Sequence, residues 1–338
     1  MNASVHPLNE SASSRQPGVV ILATGGTIAG SSADPTDTTR YAVGALEVGA
    51  LIDAVPGLRE MARLSAEQVV NVPSSDIDQG VLLRLAAAVN GRLADAQVDG
   101  VVVTHGTDTL EETAFFLDLT TQGSDKPVVL VGAMRPATAL SADGPLNLLQ
   151  AVALAASPQA RGRGTMVVMN DRIESAYYTT KTSTTAVDAF QAAEPGSLGM
   201  FLGARPHFYY SPATPVGRAR FDVSGLDTLP KVAIIYMHEG QDSEQMDMAI
   251  ERGARGIVLA GNGAGSVAAR MKPRLTQLTR QGFPVVRASR TGSGFAVKED
   301  GGGVASGALN PQKSRILLML ALAMGADLAR IRQLFAWP

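Results

Sequence analysis

Two apolar stretches, each stopped by a glycine, constrain this chain more than any other feature. Val19-Val20-Ile21-Leu22-Ala23 runs into Thr24-Gly25-Gly26-Thr27, and Val98 to Val103 runs into Thr104-His105-Gly106-Thr107-Asp108. An apolar stretch without alternation is the pattern of a strand covered on both faces. Glycine then lets the backbone turn sharply and approach whatever lies beyond the strand end. Val128 to Val131 and Met166 to Met169 give two further strands. Between them, Leu82, Leu85, Ala86, Val89 and Leu93 share one face of a helix over Val81 to Leu93. Strands alternating with helices predict an α/β fold with mostly parallel sheets.

The alternation breaks once. From Phe208 to Pro230 the chain carries Pro212, Pro215 and Pro230 and has no clear period, which reads as an interdomain linker. Strands resume at Val232 to Tyr236, Gly256 to Ala260 and Pro284 to Val286, followed by a helix from Pro311 to Met324. A chain of 338 residues fits two domains. The expected division is a disordered tail over 1–18, a larger N-terminal domain over 19–207, a linker over 208–230 and a smaller C-terminal domain over 231–338. Residues Ser31 to Thr39, rich in Ser, Asp, Thr and Pro, read as a mobile loop. No internal repeat stands out.

Composition excludes several function classes. The net charge is -2 and no basic face is clustered, which argues against nucleic acid. No cysteine is present, so thiol catalysis, disulfides and Cys-based zinc sites are excluded. No apolar run reaches the roughly 18 residues that span a bilayer. The first residues lack the apolar core of a secretory signal, so the cytoplasm is the expected location, with the periplasm following if a signal was removed. His6, His105, His207 and His238 form no HExxH or i, i+4 pair, so neither metal nor cofactor is expected.

Ligands of open α/β sheets sit at the carboxyl ends of strands, and both Gly–Thr pairs stand there. Taken singly, such turns occur in many α/β folds, with Asp108 or Thr109 capping the next helix and Glu111 or Glu112 completing a capping box. The longer strings carry more. Ile21-Leu22-Ala23-Thr24-Gly25-Gly26-Thr27-Ile28-Ala29 resembles the first motif of bacterial-type L-asparaginases, in the asparaginase/glutaminase family. Val103-Thr104-His105-Gly106-Thr107-Asp108-Thr109-Leu110-Glu111-Glu112-Thr113 resembles the second. The resemblance continues through Gly132-Ala133-Met134-Arg135-Pro136, Ser141-Ala142-Asp143-Gly144-Pro145, Asn147, Lys181-Thr182 and Leu309-Asn310-Pro311-Gln312-Lys313.

This resemblance implies an L-asparagine amidohydrolase, releasing aspartate and ammonia through a threonine acyl-enzyme, with side activity on L-glutamine. It implies Thr27 as nucleophile, Tyr41 as its partner, and Thr107, Asp108 and Lys181 as a second cluster beside the scissile amide. It implies Ser74 and Asp108 at the substrate's α-carboxylate and α-amino groups. Backbone N–H groups of Gly26 or Thr107 are expected at the oxyanion, and the Ala133 carbonyl at the amide nitrogen. It implies a homo-oligomer, a tetramer built as a dimer of dimers, in which Ser266 and Glu299 reach the neighbouring subunit's site.

The chemistry is consistent with these residue types. A threonine hydroxyl is a weak nucleophile that needs a base or a hydrogen-bonded relay. A lysine serves as base where desolvation disfavours its ammonium, and a neighbouring carboxylate opposes this. Lys181 therefore reads either as a base or as an orienting group for Thr107. Exposed N–H groups at glycine-rich strand ends suit an oxyanion. The sequence departs from the family at Ser75, where Gln or Glu is usual. A shorter, uncharged hydroxyl loosens the hold on the α-amino group and leaves asparagine-to-glutamine preference open. Gly301-Gly302-Gly303 marks a length change beside Glu299.

Other readings have weaker support. Gly263-Ala264-Gly265-Ser266-Val267-Ala268 fits the loose glycine string of a nicotinamide-dependent oxidoreductase, but it lies in the second domain without an acidic partner. A glutaminase-asparaginase of broad specificity, a non-catalytic amino-acid-binding protein, and an amidase subunit acting on aminoacyl-tRNA complete the alternatives.

Overall fold

The computed structural model describes residues 15–38, 42, 44, 47–297 and 302–336. Tyr41 and Glu299 lie outside the described residues, as do most of the expected tail and the end of the expected loop at Thr39.

The chain builds two open α/β sheets. Strands of the first are β1 (Gly18–Ala23), β2 (Arg63–Gln68), β3 (Gly100–Thr104), β4 (Val128–Val131), β5 (Thr165–Met169) and β6 (Arg172–Ser175). The short strands β7 (Thr180–Lys181) and β8 (Phe190–Gln191) pair with each other, and β9 (Gly199–Leu202) and β10 (Arg205–Phe208) return to the large sheet. The second sheet holds β11 (Val232–Tyr236), β12 (Gly256–Gly261), β13 (Val285–Ser289) and β14 (Val304–Ala305), all parallel. The helices are α1 (Val48–Asp53), α2 (Leu58–Met61), α3 (Gln79–Ala94), α4 (Leu110–Thr120), α5 (Gly144–Ala156), α6 (Glu244–Glu251), α7 (Lys272–Arg280), α8 (Pro311–Ala323) and α9 (Leu328–Phe335).

The large sheet has the order β10-β9-β6-β5-β4-β3-β1-β2. Its β2-β1-β3-β4-β5 part is parallel, and β6, β9 and β10 extend it antiparallel. The chain leaves β1 toward β2 and returns to β3 on the other side. The β1/β3 border is therefore the topological switch point, where the connections diverge and open a crevice at the carboxyl ends.

Period-two burial explains the apolar runs. Val20, Leu22, Val101 and Val103 face a core with α3, α4 and α8, whereas Val19, Ile21, Val102 and Val129 face α1, α2 and α5. Helix α8 lies between the domains: its residues pack in one core with Phe115 and Leu117 of α4 and with Val258 and Val286 of the second sheet. The outer face of the small sheet packs Ile235, Ile257 and Val285 on Met246 of α6 and on Leu275 and Leu278 of α7.

The structure refines four expectations. Residues 15–18 are not a loose tail: Arg15 pairs with Asp99 at 2.8 Å, the Pro17 carbonyl accepts from Arg63, and Gly18 already belongs to β1. The stretch after Phe208, the expected interdomain linker, is packed against the core. It lacks regular structure until β11, yet Phe221, Val223 and Leu229 are buried in the main core, and Arg218 pairs with buried Asp118 at 2.9 Å. The capping box does not form either. Thr109 is the N-cap residue of α4 without a side-chain capping bond; its hydroxyl donates instead to the Ser74 carbonyl at 2.7 Å. The described part of the Ser31 loop is pinned as well, with Ser32 and Thr138 exchanging two hydrogen bonds.

Candidate active site

The two Gly–Thr turns meet because β1 and β3 are neighbours in register, Ala23 opposite Thr104. The Thr24 hydroxyl donates to the Thr104 carbonyl at 2.9 Å and ties the strand ends together. Gly26, at φ 87 and ψ -175, adopts a backbone that side-chain-bearing residues rarely reach. A Cβ there would lie 2.3 Å from the Gly106 nitrogen, and one on Gly106 would lie 2.8 Å from the Ser74 hydroxyl. The glycines thus let two backbones and the Ser74 side chain close on one point. Thr27 follows in a short 3-10 turn and is 6% exposed.

Thr107, 5% exposed, stands at the equivalent place after β3. Lys181, from β7, donates from Nζ to Thr107 Oγ1 at 3.0 Å and to Asp108 Oδ1 at 2.7 Å. The Lys181 side chain is mostly covered, whereas Asp108 is open to solvent. A cavity of about 170 Å³ opens here, with Thr38, Thr107, Asp108, Met134, Lys181 and Thr185 in its wall. Ser74 is buried, and its hydroxyl accepts from the Asp108 N–H at 3.2 Å. Ser75 is exposed; its hydroxyl lies 3.5 Å from Asp76.

Ala133 is fully buried beyond the end of β4. The motif residues downstream hold it there. Asp143 accepts from the N–H groups of Met134 and Arg135, both at 2.9 Å, and Asn147 donates to the Gly132 carbonyl at 3.1 Å. A Cβ on Gly132 would lie 2.9 Å from the His105 carbonyl, so this third strand end also approaches the second closely. His105 is fully buried, its Nδ1 lies 2.7 Å from the Gly106 carbonyl, and its Nε2 has no partner among the described residues. Burial pushes its pKa down to about 4, so the ring is neutral and carries its proton on Nδ1, where an acceptor waits.

Sequence reasoning missed Glu111. It is 4% exposed and faces inward, accepting from Thr180 Oγ1 at 2.6 Å, Asn310 Nδ2 at 2.9 Å and Gln312 Nε2 at 3.2 Å. The Lys181 N–H donates to it at 3.4 Å. Its partners are some 70 and 200 positions away in sequence, so local spacing carries no sign of them. The resemblance to family motifs at both Lys181-Thr182 and Asn310 to Lys313 was the available signal.

Ser266 stands apart from this cluster on the second sheet. It closes the turn after β12, donating its N–H to the Asn262 carbonyl at 2.8 Å and accepting from Asn262 at 3.0 Å. The glycine string here is a bridged turn leading to a 3-10 turn and α7, not a loop opening directly into a helix. Among the described residues, no three His, Asp or Glu side chains gather as a metal ion requires. No described helix is long and apolar enough to cross a membrane.

Residues 18–214 match the family model "Asparaginase, N-terminal", and residues 231–335 match "Glutaminase/Asparaginase C-terminal domain". The chain belongs to the asparaginase family. It is 48% identical over 329 residues to a Bacillus subtilis protein named L-asparaginase 2, covering 94% of this chain and 86% of that one. It is 45% identical to a Haemophilus influenzae protein named probable periplasmic L-asparaginase, covering 94% and 92%. The crystal structure of a probable cytoplasmic L-asparaginase from Campylobacter jejuni superposes with a TM-score of 0.90 at 45% identity, covering 95% of this chain and 99% of that one. Family membership removes the oxidoreductase reading, since both halves of the chain match asparaginase domains.

Proposed function

We propose that this asparaginase-family chain hydrolyses the side-chain amide of L-asparagine to L-aspartate and ammonia through an ester on Thr27. The observation that carries the reading is the meeting of Lys181, Thr107 and Asp108 at the end of β3, beside the glycine contact that places Thr27. The Thr27 hydroxyl adds to the amide carbon and passes its proton to a hydrogen-bonded relay. Tyr41 is assigned as its partner. The tetrahedral oxyanion lies against the N–H groups of Gly26 or Thr107. Protonated nitrogen leaves as ammonia, with the Ala133 carbonyl accepting from it. Water then adds to the β-aspartyl ester, and Thr27 regains its proton as aspartate departs.

Ser74 and Asp108 hold the α-carboxylate and α-amino groups, and Ser75 contributes at most a water-mediated contact from its exposed position. The loose grip at Ser75 leaves room for side activity on L-glutamine without setting the preference. In the assembled protein, a homotetramer of paired dimers, Ser266 and Glu299 complete the neighbouring subunit's site. The catalytic domain is assigned to 19–207 and the second domain to 231–338.

The test is ammonia release from L-asparagine, L-glutamine and the D-isomers by the purified protein, with Thr27→Ala alongside. Turnover of L-asparagine that is lost in the variant supports the reading. No release from any of the four at millimolar concentration would reject it in favour of a binding protein. The compartment, assigned to the cytoplasm, is read by cell fractionation.

A further inference from the structure

The first turn of α8 grips the chain on both sides of the step into Lys181. Lys313 is 2% exposed, and its Nζ donates to the carbonyls of Ala176 at 3.0 Å, Tyr177 at 2.9 Å and Thr179 at 2.5 Å. An ammonium has three N–H donors and no acceptor, so three carbonyls satisfy it completely. Burial pulls its pKa down to about 8, which leaves the ammonium in place at neutral pH. The Phe115 ring lies 5.6 Å from Nζ, and the negative charges of Glu111 and Asp118 oppose the downward shift.

Glu111 forms the second arm. Asn310 and Gln312 of the same turn donate to it, and it accepts from the Thr180 hydroxyl and the Lys181 N–H. One helix start therefore holds the acceptors of residues 176–179 directly, and the donors of residues 180–181 through Glu111. Packing alone does not call for this. Burying a charge carries a desolvation cost that an apolar residue of similar volume avoids. What the arrangement fixes is the height of β7, and β7 carries the lysine that meets Thr107 and Asp108.

We propose that Lys313, a C-terminal-domain residue, is a positioning residue for the amide hydrolysis: it sets segment 176–181 so that Lys181 stays within hydrogen-bond reach of Thr107 and Asp108. The inference rests on the reading of Lys181 as part of the reacting cluster.

A double-mutant cycle separates this from a merely structural role. Lys313→Met keeps an unbranched side chain one atom shorter and removes the three donors. Displacement of a reacting group by about 1 Å lowers rates about 100-fold. The variant is therefore expected to lose between about 10- and 100-fold in kcat for L-asparagine, with KM within about threefold. In a Lys181→Met background the same change is expected to cost less than about threefold, because the group it positions is already gone. Full additivity, or a Lys313→Met enzyme with the wild-type kcat, overturns the inference. If Lys313→Met does not fold, Thr180→Val runs the same cycle: it deletes one donor to Glu111 at nearly constant volume, and its kcat loss must likewise vanish without Lys181. A wild-type rate in Lys181→Met itself would instead remove Lys181 from the reacting cluster, a failure of the underlying reading and distinguishable from the first.

Discussion

Replacing Gly26 by alanine tests whether the glycine contact between the two turns sets the site geometry. Two effects add. The backbone at φ 87 and ψ -175 belongs to a region that costs about 1–3 kcal/mol for a residue with a side chain. The new Cβ would also stand 2.3 Å from the Gly106 nitrogen and 2.4 Å from its Cα. Those are backbone atoms and cannot rotate away. Reaching an ordinary contact of 3.4 Å requires the two strand ends to separate by roughly 1 Å. Thr27 and Thr107 follow these glycines directly, so the separation passes into the site. Misplacement on that scale costs about 100-fold in rate. Gly26→Ala should thus lower kcat/KM for L-asparagine by about 100-fold or more, read by coupled ammonia detection, and lower the unfolding midpoint. Gly123→Ala is the control: φ is 56 there and, beyond the adjacent residues, no atom of the described residues lies within 4 Å of the new Cβ. It should lose about 1 kcal/mol of stability and keep its kcat/KM. A Gly26→Ala enzyme with kcat/KM within threefold of wild type would refute the reasoning. Equal losses in both variants would do so too, by tracing the effect to general stability.

Lys181→Met should lower kcat/KM by about 100- to 10,000-fold, the range of a lost proton-transfer group, with an unfolding midpoint close to wild type; steady-state kinetics and calorimetry check both halves. His105 predicts an acid limit to stability. Its pKa in the folded protein, about 4, is depressed below the ordinary 6.5, so the unfolded chain binds the extra proton between these values. The contribution is fully present above pH 6.5 and is lost as pH falls toward 4, amounting to about 3 kcal/mol. Urea denaturation across that window should show the slope, and His105→Gln should flatten it. Arg218→Leu should destabilise by about 3 kcal/mol or more, since it strands Asp118 in a site where the two side chains are only 6% and 3% exposed. A change below 1 kcal/mol in the same denaturation assay would show that the segment after Phe208 is fastened by its apolar contacts alone.

The parallel centre of the large sheet was legible because β1, β3, β4 and β5 are covered on both faces and leave uninterrupted apolar runs. The edge was not. Strand β2, Arg63-Leu64-Ser65-Ala66-Glu67-Gln68, is largely exposed, and its polar residues need no apolar pattern to pair. The two- and four-residue strands from β6 to β10 are too short to show a period. Helix α5 escaped for the opposite reason: Leu, Ala and Val surround most of it, so no stripe distinguishes a face. Of the candidate site, Thr27, Thr107, Asp108, Lys181, Ser74 and Ala133 were proposed through family motifs, whereas Glu111 looked like a helix cap. A carboxylate three residues into a helix after Asp or Thr has that appearance in any sequence. Its burial is decided by Thr180, Asn310 and Gln312, which only the folded chain brings to it.

The assignment of Thr27 as nucleophile is tested most directly by trapping the intermediate. Enzyme mixed with L-asparagine is quenched in acid within one turnover, digested, and its peptides weighed. One aspartyl group added to the peptide containing Thr27, absent from the Thr27→Ala protein, is the predicted result. The same group on the peptide containing Thr107, or wild-type ammonia release by Thr27→Ala, would contradict it.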